Sequence, residues 1–150
     1  VLQAGEPDLA DKALKASETL IDAIDLNYAR SFARYEASLT HIARVAFFKG
    51  GSVETREALA SAAQIDQPHF RADAYWRLAG VGSETLAPEI RARAEASFSK
   101  IASRLRQVFV LTFDDAKTEQ RQDRALAIAA SISDPLDRAR AFARLARYVQ

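Results

Sequence analysis

Apolar residues recur at spacings of three and four along nearly the whole chain. Close to its end, Leu136, Ala139, Phe142, Ala143 and Ala146 keep that spacing, and Arg138, Arg140, Arg144 and Arg147 mostly fall between them. Such a stripe marks a helix that faces a core, with arginine stems covering its flanks. No stretch alternates apolar and polar residues as a half-buried strand would. Alanine is abundant, while there are only 5 Gly and 4 Pro, which favours helix throughout. The pattern predicts an all-α chain of about seven helices near 8–25, 28–48, 53–65, 68–80, 86–111, 115–132 and 135–149.

The breaks between these helices follow ordinary punctuation. Gly50–Gly51 ends one helix and Ser52 caps the next. Pro68 and Pro135 follow polar residues, as proline in a first helical turn does. Gly80 and Gly82 are read as stops, with a new start between Ser83 and Pro88. Asp114–Asp115 marks another turn. The first joint, near Asp25–Asn27, has neither Pro nor Gly and is placed by analogy with the later turns.

The chain also echoes itself. Residues 125–146 match residues 58–79 without a gap at thirteen of twenty-two positions. The shared skeleton is A-L-A-x-A-A-x-I, then Pro, then R-A-x-A, then R-L-A. A shorter echo links "ARYEASLTHIA" (33–43) with "ARAEASFSKIA" (92–102). The simplest reading is a helix–turn–helix unit used several times, each unit burying its apolar face against the next. The two strong copies lie 67 residues apart, about twice the 34-residue period of known helix-pair repeats. The units would span approximately 8–48, 53–80, 86–111 (a partial one) and 115–149, within a single domain covering 1–150.

In its period and its pattern of small and large residues the chain resembles the tetratricopeptide-like superfamily of α-helical repeats. The resemblance implies stacked antiparallel helix pairs, an α-solenoid, that offer an extended surface to a protein or peptide. No residue of that family's binding surface is carried over, because proline here falls between the two helices of a pair. A compact bundle of the same helices is the alternative architecture.

Composition narrows the classes. Hydrophobic residues make up 49% of the chain, enough for a core without disulfides or metals, and there are no cysteines. The formal net charge is +1, so nucleic acid is not an expected partner. No apolar run approaches the roughly 20 residues that span a bilayer; the longest is "VFVLTF" at 108–113. The absence of methionine fits a trimmed or processed chain, and cytoplasmic and periplasmic locations both stay open. Frequent Ala and Arg with little Lys suggest a bacterial source.

Candidate chemistry is sparse. His41 and His69 fall on different helices without a third metal ligand at the usual spacing. "KGGS" at 49–52 lacks the spacing of a phosphate loop, and no serine sits in a nucleophile elbow. Asp22 and Asp25 lie one helical turn apart, and Asp114 and Asp115 read as helix-start acids. No cofactor, metal or catalytic residue is expected, and the chain is read as non-catalytic.

Two features carry the functional expectation. Arg71 and Arg138 hold equivalent places near helix starts, where the dipole slightly disfavours a cation. Each calls for a compensating carboxylate, with Asp66 or Glu54 serving Arg71 and Asp134 or Asp123 serving Arg138. The segment "HFRADAYWRL" then concentrates Phe70, Tyr75 and Trp76, a composition enriched at binding hot spots. The expected partner-binding surface is Arg71, Tyr75, Trp76 and Arg77, with Arg138 and Arg144 as companions. The expected function is a helical-repeat scaffold for a protein or peptide partner, with homo-oligomerisation left open. The alternative is an accessory or assembly subunit of a larger complex, with a permanent interface that includes Phe47, Phe48, Val108 and Phe113.

Overall fold

The computed structural model describes residues 7–22, 26–112 and 119–149. Those residues are all-helical, with no strand among them. The helices are α1 (Pro7–Asp22), α2 (Asn27–Phe47), α3 (Ser52–Ala63), α4 (Pro68–Val81), α5 (Ala87–Phe98), α6 (Arg104–Leu111), α7 (Glu119–Ala130) and α8 (Pro135–Val149). Asp25, Phe113, Asp114 and Asp115 lie outside the described residues.

Eight helices replace the seven expected, because the span 86–111 is two helices. Nothing in it is a proline or glycine after Pro88, so punctuation alone gave no break. The break is made by a buried isoleucine and a serine cap. Ile101 is 5% exposed, and the Ser103 hydroxyl accepts a hydrogen bond from the Arg106 backbone N–H at 3.3 Å. The same device recurs downstream. Ile132 is buried, and Asp134 two residues later accepts from the Asp137 N–H at 2.8 Å. Ile65, 0% exposed, precedes Gln67, the residue that leads into α4. A buried isoleucine therefore stands just before each of α4, α6 and α8, and at α6 and α8 a capping side chain follows it, whereas Gln67 makes no side-chain cap.

Two smaller corrections concern glycine. Gly80 does not stop α4; it lies inside the helix, and Gly82 is the C-terminal cap. At the other joint Lys49 and Gly50 take positive φ, 53° and 76°, and the Gly50 N–H reaches the Val45 carbonyl at 2.9 Å. That left-handed turn closes α2, and Gly51 rather than Ser52 is the cap of α3.

Packing runs between close neighbours in the chain. α1 packs on α2; α2 on α3 and α4; α3 on α4; α4 on α5 and α6; α6 on α7 and α8; and α7 on α8. The even-numbered helices thus form a continuous row, and the odd-numbered ones lean on that row. The core follows the same order. One cluster centred on Val45, Ala58, Ile65, Leu78 and Ile90 joins α2 to α5. A second, centred on Phe98, Val108, Leu111, Ala125 and Leu145, joins α5 to α8. Trp76 packs against both.

The strong sequence echo lies on α3–α4 and α7–α8, and burial repeats at part of it, although Ala72 and Tyr75 are buried where Ala139 and Phe142 are exposed. Ala58 and Ala125, Ala62 and Ala129, and Ala74 and Ala141 are all 0% exposed. Alanine at these points lets helix axes approach closely, toward the short end of roughly 8–10 Å. The shorter echo does not pair equivalent elements: 33–43 lies within α2, whereas 92–102 ends α5 and continues into the turn after it.

Candidate functional site

The even-numbered helices differ from the odd-numbered ones in chemistry. α2, α4, α6 and α8 together hold eleven arginines and three acids, a formal charge of +8. α1, α3, α5 and α7 hold ten acids and seven basic residues, a formal charge of −3. The near-neutral total conceals this division. Exposed aromatic rings follow it. Among the described residues Tyr28, Phe32, Phe47, Phe109 and Phe142 are exposed on even-numbered helices, Phe48 directly follows α2, and no odd-numbered helix exposes one.

Three even-numbered helices enclose a pocket of about 210 Å³. α2 supplies Tyr28 and Tyr35; α4 supplies His69, Phe70 and Asp73; and α6 supplies Arg106, Phe109 and Val110. The rings form one wall. Phe70 lies 5.1 Å from Tyr35, 5.5 Å from Tyr28 and 5.6 Å from Phe32, centroid to centroid. Tilted and offset pairs at these distances are the favoured arrangement of aromatic quadrupoles. Helical spacing places them: Tyr28, Phe32 and Tyr35 are separated by four and three residues on α2.

Below the wall sits a buried polar triad. The Tyr35 hydroxyl donates to Asp73 Oδ2 at 2.5 Å, and Arg77 Nε donates to the same oxygen at 2.7 Å. Asp73 is 4% exposed, so its charge needs both partners. Burial, and then the Asp73 carboxylate, push the Tyr35 phenol far above its usual value, with Arg77 opposing. Burial and then the Arg106 charge push the His69 imidazole below its usual 6.5. His69 stands 4.1 Å from the Phe70 ring, and the Arg106 guanidinium is exposed at the mouth.

The residues singled out from sequence do not gather into one surface. Tyr75 is 4% exposed and belongs to the first core cluster, so its expected place on a binding surface is corrected. Trp76 is half-buried, 5.3 Å from Phe98, with the Arg121 guanidinium 4.9 Å from its ring. It lines a cleft between α4, α5 and α7 with Arg91, Glu95 and Arg124, away from the aromatic pocket. Arg71 has found a carbonyl and a hydroxyl instead of the expected Asp66 or Glu54: it donates to Ile65 O at 3.0 Å and Ser97 Oγ at 3.2 Å. Asp66 pairs with Arg34. Arg144 clasps the end of α6 through Thr112, at 3.2 Å to both Oγ1 and O. Arg77 holds Asp73, and Arg138 is exposed on α8.

Of the apolar patch expected for a permanent interface, Phe47 and Phe48 are exposed, but Val108 is 0% exposed and lies in the second cluster. Sequence reading missed Tyr28, Tyr35, Asp73, Arg106 and Phe109. The available signal was Tyr28, Phe32 and Tyr35 on one face of α2; the contributions of α4 and α6 needed the packing. Among the described residues no three His, Cys, Asp or Glu side chains could jointly hold a metal, and no helix is long and apolar enough to cross a membrane. No family model, curated protein or solved structure matches the chain.

Proposed function

We propose that the chain is a non-catalytic interaction module built of stacked helix pairs, and that its even-numbered helices form the face that meets a protein or peptide partner. The observation that carries this reading is the joint segregation of arginine and exposed aromatic rings to α2, α4, α6 and α8. Aromatic and arginine side chains dominate interface energetics. A patch of one charge sign also selects and steers a partner of the other sign. The stacked-pair architecture is supported by packing between near neighbours in the chain, by the unbroken row of even-numbered helices, and by burial that repeats in part between α3–α4 and α7–α8. The partner is accordingly acidic.

The test uses poly-L-glutamate as a probe at low salt, with poly-L-lysine as its opposite. Poly-L-glutamate is expected to bind, and salt to weaken it steeply. The double variant Arg138→Glu with Arg140→Glu on α8 is expected to lose most of that binding. Reversal of Arg56 on α3 and Arg91 on α5 is expected to leave it intact. Preference for poly-L-lysine, or equal loss from both reversals, overturns the reading.

A second reading, the accessory subunit with a permanent interface, has one observation in its favour. Leu136 and Phe142 on α8 are 59% and 40% exposed, while the matching residues of α4, His69 and Tyr75, are half-buried and buried. On that reading the isolated chain self-associates through α8, and Phe142→Ser makes it monomeric in sedimentation.

A further inference from the structure

We infer that the pocket between α2, α4 and α6 receives a single aromatic side chain from an acidic peptide segment, whose carboxylates lie against Arg106 at the mouth. The inference rests on the interaction-module reading and names its anchor point.

Size sets the kind of guest. The pocket holds about 210 Å³. An apolar cavity of about 150 Å³ accommodates a benzene ring, whereas pockets for drug-sized ligands run from about 300 Å³ upward. One ring fits, and a cofactor does not.

The lining sets its polarity. Tyr28, Tyr35, Phe70, Phe109 and Val110 offer ring faces and edges and an aliphatic side chain. The carboxylate at the floor, Asp73, already accepts from Tyr35 and Arg77. A cationic guest therefore meets a neutralised acid below and a guanidinium above, and is disfavoured. A nucleobase would bring polar edges into a wall with few partners for them, and burying such groups unpaired is costly. A phenyl, phenol or indole ring brings mainly apolar surface.

The surroundings set the flanking sequence. Arg106 is exposed at the mouth and close enough to His69 to depress its basicity. Beyond it the even-numbered row keeps its excess of arginine. Aspartate or glutamate beside the aromatic anchor completes the match.

The experiment is selection of a random dodecapeptide phage library on the intact chain, followed by titration of the strongest synthetic peptide. Enriched peptides are expected to carry Phe, Tyr or Trp next to Asp or Glu. Replacing that aromatic by alanine is expected to abolish binding. Tyr28→Ala and Arg106→Glu alter exposed side chains, so folding is preserved and is checked by melting. Each is expected to weaken binding about tenfold, the scale of a 1.4 kcal/mol loss, while Arg56→Glu leaves it unchanged. Acidic peptides without an aromatic, indifferent to Tyr28→Ala, overturn the pocket but leave the basic face standing. Basic peptides, no enrichment, or a uridine oligonucleotide binding more tightly than any selected peptide overturn both.

Discussion

Tyr75 and Phe142 stand at the same position of two helix pairs 67 residues apart, yet Tyr75 is 4% exposed and Phe142 is 40% exposed. The difference is what lies alongside. Tyr75 is packed in a cluster with Ile90 and Ala94 of α5, whereas the described residues place no equivalent helix against α8. Truncation should separate the two. Tyr75→Ala is expected to cost about 3–4 kcal/mol of folding stability, and Phe142→Ala less than about 1 kcal/mol. Urea unfolding of both variants measures the contrast.

The Tyr35–Asp73–Arg77 triad gives a graded series. Tyr35→Phe removes one hydrogen bond to a charged group and is expected to cost about 1–2 kcal/mol. Asp73→Ala leaves both a phenol and a guanidinium without their shared acceptor. Arg77 keeps some contact with water, so the expected loss is about 2–3 kcal/mol. The alkaline limb should change as well. The folded chain holds the Tyr35 proton more tightly than the unfolded chain does. Stability is therefore lost as pH rises above the ordinary tyrosine value of about 10, and Tyr35→Phe should flatten that loss. Denaturation midpoints across pH 8–11 read both effects.

His69 governs the acid side. Its folded-state basicity is lowered by burial and by Arg106. Below its unfolded value of about 6.5 the unfolded chain takes up a proton that the folded chain resists. This residue's contribution to stability is thus unaffected above that pH and falls as pH drops through it. His69→Gln is expected to reduce the stability difference between pH 7.5 and pH 5. An unchanged difference would remove His69 as its source.

How far the sequence disclosed this arrangement depends on whether the signal was local. The helical spacing, the proline starts of α4 and α8, and the equivalence of Ala58 with Ala125 are local, and they were legible; the buried face of α8 was not, since Leu136, Ala139, Phe142, Ala143 and Ala146 are exposed and Ala141 and Leu145 face the core. The break before α6 was also written locally, as Ile101-x-Ser103. It goes unread because no Pro, Gly or acid pair marks it, and a buried isoleucine followed by a cap looks in sequence like the interior of a helix. The site was not local. Tyr75 and Trp76 are adjacent in sequence but point into a core and a cleft, and nothing in "AYWR" distinguishes them from an exposed pair. Arg71 was expected to need a carboxylate, yet a turn carbonyl and Ser97 satisfied it. The pocket's rings come from residues 28, 35, 70 and 109, which only the packing of α2, α4 and α6 brings together.

Gly80 offers a gain in stability. It lies in α4, is exposed, and a Cβ added there meets nothing within 4 Å. Gly80→Ala removes backbone freedom from the unfolded chain at no steric cost in the folded one. It is expected to stabilise by about 0.5–1 kcal/mol, read as a higher melting temperature.

The division between even- and odd-numbered helices is the claim on which the functional reading turns. Its most direct test is a map of backbone amide shifts in the ¹⁵N-labelled chain as poly-L-glutamate is added. The expected map is concentrated on α2, α4, α6 and α8, strongest around the exposed Arg106, Arg138 and Arg140. Shifts concentrated instead on the odd-numbered helices, or in the Trp76 cleft around Arg121 and Arg124, would contradict it.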